Sequence, residues 1–221
     1  MTSGPLPSLD RSTLRERALE ALRSAIMVGR YRPGDHLGEV ELAKHLGVSR
    51  GTVREALRHL QQEGLATTGN RGMLRVNTLS PKEVRELFQV RAALEGLAVA
   101  EIIGSAERGA LVMRLRRSLS RLSEPDGDFA ARVEADLGFH LLLCELAGNS
   151  MLVEAWRHLE GRIRVTIVNG DADGLAMLVT QSYHAPIVDA IETGDVSAAV
   201  KVVQQHMTTA AGQLAHPSTN S

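Results

Sequence analysis

Two helical stretches separated by only three residues constrain this chain more than any other feature in it. Residues 39–46 (EVELAKHL) and 50–63 (RGTVREALRHLQQE) each place apolar side chains at helical spacing, and only Gly47, Val48 and Ser49 lie between them. Gly47 can take the left-handed conformation that stops a helix, and Ser49 is an N-cap residue for the next one. Gly64 ends the second stretch. A tight turn between two such helices is the mark of a helix-turn-helix.

The flanking sequence extends the motif. Leu14, Ala18, Leu22, Ala25 and Ile26 follow helical spacing before a Pro33-Gly34 turn. After Gly64, two short β-type runs surround Gly69-Asn70-Arg71-Gly72, which reads as a hairpin. The order helix, turn, helix, tight turn, helix, hairpin is that of a winged helix-turn-helix, whose last helix enters the major groove.

The second helix of the motif has two unlike sides. Val53, Ala56, Leu57 and Leu60 form a docking face, while Arg50, Arg54 and Arg58 recur every four residues beside it. An arginine stripe on an isolated helix is ordinarily a solvated face. On the reading helix of a winged motif it meets phosphates and guanine edges, which the guanidinium fork matches. Ser49 and Thr52 stand where they can bond phosphates near the helix N-terminus. Asn70 and Arg71 occupy the hairpin tip, and Gly69 and Gly72 let its backbone approach a duplex.

Charge divides the chain in the same way. Residues 1–78 carry 12 Lys+Arg against 8 Asp+Glu, and the remainder carries 13 against 18. A basic N-terminal part suited to a polyanion is therefore joined to an acidic partner. Aromatic residues make up only 3% of the chain, so its core is Leu, Ala, Val and Ile, a composition suited to packed helices. A single cysteine, Cys144, excludes an internal disulfide and fits a reducing compartment. No apolar run reaches the roughly 20 residues needed to cross a bilayer, and the first residues do not resemble a signal peptide. The expectation is a cytoplasmic protein with no membrane association.

From residue 79 onward everything reads as helix. Ser80-Pro81-Lys82-Glu83 is a capping box that opens a helix to about residue 103. Further helices are expected over about 105–122, 129–147, 150–168, 175–192 (with Pro186 kinking or dividing it) and 195–214, separated by loops at 123–128 and 169–174. The expected fold class is mostly α, a winged helix-turn-helix followed by an all-α bundle of six or seven helices. The expected divisions are a disordered tail at 1–9, a DNA-binding domain at 10–78, a ligand-binding and dimerisation domain at 79–215, and a disordered tail at 216–221.

Four residues of the second domain stand out. Asp136 and His140 are four apart and share a helix face. His184 lies ten residues before Gly194 and His206 twelve after it, so helices folding back at Gly194-Asp195 bring both imidazoles to similar heights. One carboxylate and three imidazoles suit a divalent transition metal, zinc first, with nickel or manganese as alternatives. An Asp–His pair alone is more often a surface pair. Cys144, one turn beyond His140, is either a soft ligand or a small buried apolar residue.

The segment GRYRPGDHLGEVELAKHLGVSRGTVREALRHLQQEGL strongly resembles the DNA-binding domain of the GntR family of bacterial transcription regulators. That resemblance implies operator contacts through Arg50, Arg54 and the wing near Gly72. This chain has Gly51-Thr52 where many relatives have Thr-Pro. DLGFHLLLCELAGNS and HAPIVDAIETGDVSAAVKVVQQHM resemble the FCD effector domain of the FadR subfamily. In its metal-binding members the ligands match Asp136, His140, His184 and His206. Arg91, in VRAALEG, matches a common position whose guanidinium is suited to holding a carboxylate; on sequence alone it is equally an intrahelical partner of Glu95.

The reading that follows is a transcription regulator, a repressor in the first instance. It acts as a homodimer on an inverted-repeat double-stranded operator, with a metal and a small carboxylate effector in its C-terminal domain. The alternatives are a metal-dependent hydrolase, for which no separate acid, base or nucleophile motif is found, and a regulator that senses the metal itself.

Overall fold

The computed structural model describes residues 14–69, 72–123, 129–168, 170 and 172–215. The expected tails at 1–9 and 216–221, most of the 123–128 loop, and the wing-tip residues Asn70 and Arg71 lie outside the described residues. The elements run α1 (Leu14–Met27), α2 (Glu39–Leu46), α3 (Arg50–Gln62), β1 (Ala66–Thr68), β2 (Leu74–Val76), α4 (Pro81–Gly104), α5 (Arg108–Leu119), α6 (Phe129–Leu146), α7 (Ser150–Val168), the single turn α8 (Ala172–Leu175), α9 (Gln181–Thr193) and α10 (Val196–Ala215). Short 3₁₀ turns follow α5 and α8.

The N-terminal helices form because their apolar faces close on one another. Val53, Ala56, Leu57 and Leu60 of α3 are all buried, against Ala18, Leu22 and Ile26 of α1 and Leu42 and Ala43 of α2. Each fully buried Leu, Ile or Val contributes about 1.5–3 kcal/mol, so this small core carries the tight turn. The turn itself needs Gly47, whose φ of 65° lies in the left-handed region. Ser49 then caps α3, its Oγ accepting the Thr52 N–H at 3.1 Å. β1 and β2 pair antiparallel with Ala66 opposite Val76, Thr67 opposite Arg75 and Thr68 opposite Leu74. Thr68 Oγ1 accepts from Gln61 Nε2 at 2.7 Å, tying the wing to α3.

α4 follows the wing after the short segment 77–80. Its capping box is complete: Ser80 Oγ accepts the Glu83 N–H at 3.3 Å, and the Ser80 N–H donates to Glu83 Oε2 at 2.8 Å. A second core fills the space between α4 and α10, with Phe88, Val99, Ile102, Leu115, Phe139, Leu143, Trp156, Ile187 and Val203 among its most deeply buried members. α4 and α10 pack along much of their lengths. Among the described residues, no helix is long and apolar enough to cross a membrane.

One expected helix needs correction. The stretch expected as a single helix over 175–192, divided if anywhere at Pro186, breaks at Thr180 instead. Thr180 has extended backbone, and its side chain accepts the Tyr183 N–H to start α9. Pro186 sits inside α9, which continues through it to Thr193. The apolar run Leu175–Val179 imitates helical periodicity, but it is a single α-turn passing into a 3₁₀ turn. The expected cap at Ser105 is also displaced. Its Oγ accepts the Glu107 N–H at 3.1 Å, and α5 begins only at Arg108.

The two cores meet at α7. Leu152, Trp156, Ile163 and Ile167 face the second core, whereas Val165 joins the first.

Candidate metal centre and nucleic-acid interface

The four residues singled out in the C-terminal part come from three different helices and converge. α6 supplies Asp136 and His140, α9 supplies His184, and α10 supplies His206. Their exposures are 4%, 1%, 0% and 7%. Asp136 Oδ1 lies 2.8 Å from His184 Nε2 and 3.8 Å from His140 Nε2, and the two Nε2 atoms are 3.0 Å apart. One ring nitrogen of each of the three histidines falls within 4.8 Å of the others. The fold-back at Gly194 is what aligns α9 with α10. Asp195 Oδ1 then caps α10 by accepting the Ala198 N–H at 3.0 Å.

The outer nitrogens fix the tautomers. His140 Nδ1 is 2.6 Å from Glu95 Oε2, an acceptor, so it carries the proton. His184 Nδ1 is 2.8 Å from the Thr180 carbonyl oxygen, again an acceptor. Both Nε2 atoms are therefore the ones turned towards the centre. Burial, followed by the Arg91 charge, holds His140 well below the ordinary histidine pKa. Burial, followed by the neighbouring His140 and His184, does the same to His206. Burial pushes the Asp136 carboxyl upward, but the hydrogen bond and charge of His184, with help from His140 and Arg91, outweigh it and keep the group below its usual value.

Two ring nitrogens 3.0 Å apart beside a carboxylate oxygen at 2.8 Å from one of them need a positive centre among them, a proton or a metal ion. A proton satisfies one pair of these atoms; a divalent cation satisfies all of them. Bonds of about 2.0–2.2 Å to nitrogen and oxygen place donor atoms about 3–4 Å apart, so these residues fit such an ion. The Glu95 carboxylate behind His140 is the carboxylate–histidine arrangement that orients metal-ligating imidazoles.

Glu95 is the residue that sequence reasoning undervalued. It was legible as a partner of Arg91, and the Arg91 Nε does donate to its Oε1 at 2.7 Å. Its other roles cross between helices: Oε1 also accepts from Trp156 Nε1 at 3.1 Å, and Oε2 holds His140. Glu95 is fully buried, and Arg91 is 2% exposed with its Nη2 left without a hydrogen-bond partner among the described residues. Tyr183 lies against His206, ring centroids 4.2 Å apart, and its hydroxyl donates to the His206 carbonyl at 2.7 Å. Burial pushes that hydroxyl up to about 12, so it stays protonated. Cys144 is fully buried and its thiol pKa is raised by burial, so it packs in the core rather than joining the histidine group.

The arginines of α3 lie on the opposite kind of surface. Arg50, Arg54 and Arg58 have side chains 62%, 60% and 65% exposed. Arg54 pairs with Glu39 of α2 through Nε and Nη2, both at 2.9 Å, while Arg50 reaches the same carboxylate at 3.7 Å. The Arg54 hydrogen bond holds Glu39 below the usual carboxylate range. Arg58 pairs with Glu55 at 3.6 Å. Ser49 Oγ and Thr52 Oγ1 are 2.9 Å apart at the helix N-terminus. Gly72 bends the wing with a φ of 74°, and the Gly69 N–H closes it onto the Met73 carbonyl at 2.8 Å. Arg54 and Arg58 of α3 line one groove together with Thr68, Gly72 and Met73 of the wing. The part of Glu39, which sits before the turn, was missed because its partnership crosses between helices.

Two sequence families match successive parts of the chain. The FCD domain matches residues 86–209, and the bacterial regulatory protein gntR family matches residues 14–76. The chain belongs to the GntR family and carries an FCD domain. YdhC of Bacillus subtilis strain 168, named an HTH-type transcriptional regulator, is 29% identical over 199 residues, covering 88% of each chain. A protein of Paenarthrobacter nicotinovorans named "probable D-xylose utilization operon transcriptional repressor" is 28% identical, covering 94% of this chain and 92% of its own. Among solved structures, a GntR transcriptional regulator from Rhodococcus sp. RHA1 superposes with a TM-score of 0.74 at 26% identity, covering 90% of this chain and 96% of its own. This GntR-family chain is a DNA-binding transcription regulator rather than an enzyme, which sets aside the hydrolase alternative.

Proposed function

We propose that this regulator is a cytoplasmic FadR-type repressor that binds an inverted-repeat operator as a homodimer. Its C-terminal domain binds one divalent transition metal, zinc first, through Asp136, His140, His184 and His206. A small carboxylate effector completes the coordination and is anchored by Arg91. Ser49, Arg50, Thr52, Arg54, Arg58, Asn70, Arg71 and Gly72 make the operator contacts.

The observation that carries the metal reading is the pair of converging Nε2 atoms, 3.0 Å apart with the Asp136 carboxylate beside them. Buried acceptors in such an arrangement need a cation. Bound there, the ion supplies a fixed positive charge with coordination positions left for a ligand. The orphaned Arg91 Nη2 supports the effector reading, because a buried guanidinium nitrogen without a partner costs stability until an anion meets it. The dimer reading rests on the winged module, because proteins of this kind commonly pair to read two half-sites.

The test joins elemental analysis of mildly purified protein with calorimetric titration of small di- and tricarboxylates, with and without operator DNA. About one metal ion per chain and a carboxylate whose affinity shifts with DNA are expected, since coupling is reciprocal. A carboxylate that binds equally well to the metal-free protein contradicts the effector's place on the metal. Operator affinity that responds to metal alone, with no carboxylate effect, favours a metal sensor.

A further inference from the structure

α7 touches both functional regions through separate faces. On one face, Trp156 is fully buried and its indole N–H donates to Glu95, the same carboxylate that holds His140 and Arg91. On another face, Gly161 is buried against the C-terminal end of the recognition helix. A Cβ at Gly161 would collide with the Glu63 carbonyl oxygen and stand 2.7 Å from its carbon. The adjacent Arg162 stem lies over Gly64 so closely that a Cβ there would meet its Cγ at 2.9 Å. Val165, one turn further, is buried in the N-terminal core. Glu63 is held in turn by Arg23 of α1, through Nε at 3.2 Å and Nη2 at 2.7 Å.

Trp156 and Gly161 are five residues apart, which on an α-helix is about 7.5 Å of rise and about 140° of rotation. A single rigid element thus separates the residue that senses Glu95 from the backbone contact that seats α3. Glycine in a helix interior costs about 0.5–1 kcal/mol relative to alanine, and the close backbone approach gives Gly161 its reason.

We propose that α7 is the mechanical link between the buried centre and the recognition helix. A change in how Glu95 is shared among His140, Arg91 and Trp156 shifts α7, and the Gly161–Glu63 contact passes the shift to α3. The proposal rests on the reading of the centre as the place where the signal arrives. Backbone-to-backbone contact transmits a displacement that flexible side chains at the same place would absorb.

The experiment uses the full-length protein, its Gly161→Ala and Trp156→Phe variants, and the tightest duplex recovered by in vitro selection with the wild type. Affinity for that duplex is measured with zinc and after chelation, alongside zinc content. In the wild type the two affinities are expected to differ by about 5- to 150-fold. Gly161→Ala is expected to keep its zinc and lose most of that difference. Gly161→Ala that holds zinc and shows the wild-type ratio overturns the link, as does a zinc-loaded wild type whose two affinities are equal. If Gly161→Ala does not fold, Trp156→Phe decides: it keeps a packed ring and deletes the N–H donor. A reduced ratio with zinc retained supports the link, and an unchanged ratio overturns it. If the wild type binds no zinc, the metal reading fails but the link is still tested, because Trp156 is the sole tryptophan. Its emission should change when the selected duplex is added and not when a scrambled one is. An unresponsive Trp156 overturns the link.

Discussion

The arginine face of α3 and the histidine centre of the bundle are both clusters of groups that seek an opposite charge, but they are maintained differently. At the surface, Arg54 has a temporary partner in Glu39, and water screens whatever remains unpaired. In the bundle, His140, His184, His206, Asp136, Glu95 and Arg91 are all at most 7% exposed and have chiefly one another. Exposed groups can remain unpaired at little cost because water serves them, whereas buried groups must be held and aimed by one another. The outer nitrogens of His140 and His184 are committed to Glu95 and Thr180, so their inner nitrogens are aimed inward.

If the buried cluster is organised around an ion, removing two ligands at once should have the largest effect. His184→Ala combined with His206→Ala is expected to lower metal content from about one per chain to background by elemental analysis. It should also lower the melting temperature more than Arg54→Ala, at the exposed face of α3, does. Full metal content in the double variant would move the site elsewhere.

The pH response should separate the two regions next. His140 and His206 have folded pKa values below 6.5, so below that pH the unfolded chain binds protons that the folded chain does not. Their contribution to stability is complete above about pH 6.5 and declines as pH falls towards the folded values. Each such imidazole costs about 1.4 kcal/mol per pH unit within that window. Denaturant midpoints measured from pH 7.5 down to 5 should fall, and metal occupancy should fall with them because the ligands must be neutral. A flat profile would mean that the imidazoles titrate in the folded chain as they do in the unfolded one.

At the surface the effects should be smaller. Arg54→Ala is expected to weaken operator binding by roughly 5- to 150-fold per half-site if it reads guanine, with folding unchanged. Electrophoretic or anisotropy titration against the selected operator and a scrambled duplex checks this. A uniform loss on both duplexes would reassign Arg54 to phosphate. The smallest effect is expected from Ser49→Ala, which removes the cap on the Thr52 N–H. About 1 kcal/mol of stability should be lost in thermal or denaturant unfolding.

The same contrast explains what the sequence made legible. The tight turn at Gly47–Ser49 and the face of Val53, Ala56, Leu57 and Leu60 are local patterns, and both appear where periodicity placed them. The convergence of Asp136, His140, His184 and His206 was readable because each pair is fixed by one helix or by one turn at Gly194. Glu95 and Trp156 were not readable as parts of the centre, since their contacts depend on how α4, α6 and α7 cross. Gly161 gave one faint sign, a glycine in the middle of an apolar helix, but not the identity of what approaches it. The break at Thr180 was hidden because Leu175–Val179 is apolar enough to continue a helix, while one hydroxyl at residue 180 starts a new one.

The Arg54–Glu39 pair has a consequence for how DNA binding should depend on salt. A guanidinium that is free in solution meets a phosphate by displacing a condensed cation, and each such contact adds about 0.9 to the slope of log affinity against log salt concentration. Here the guanidinium already has an anion from its own chain, held through two hydrogen bonds of 2.9 Å. Docking Arg54 on the operator becomes an exchange of anions, and the released Glu39 carboxylate takes up a cation of its own. The salt slope of this regulator should therefore count fewer phosphates than it touches, and Glu39→Gln should steepen it.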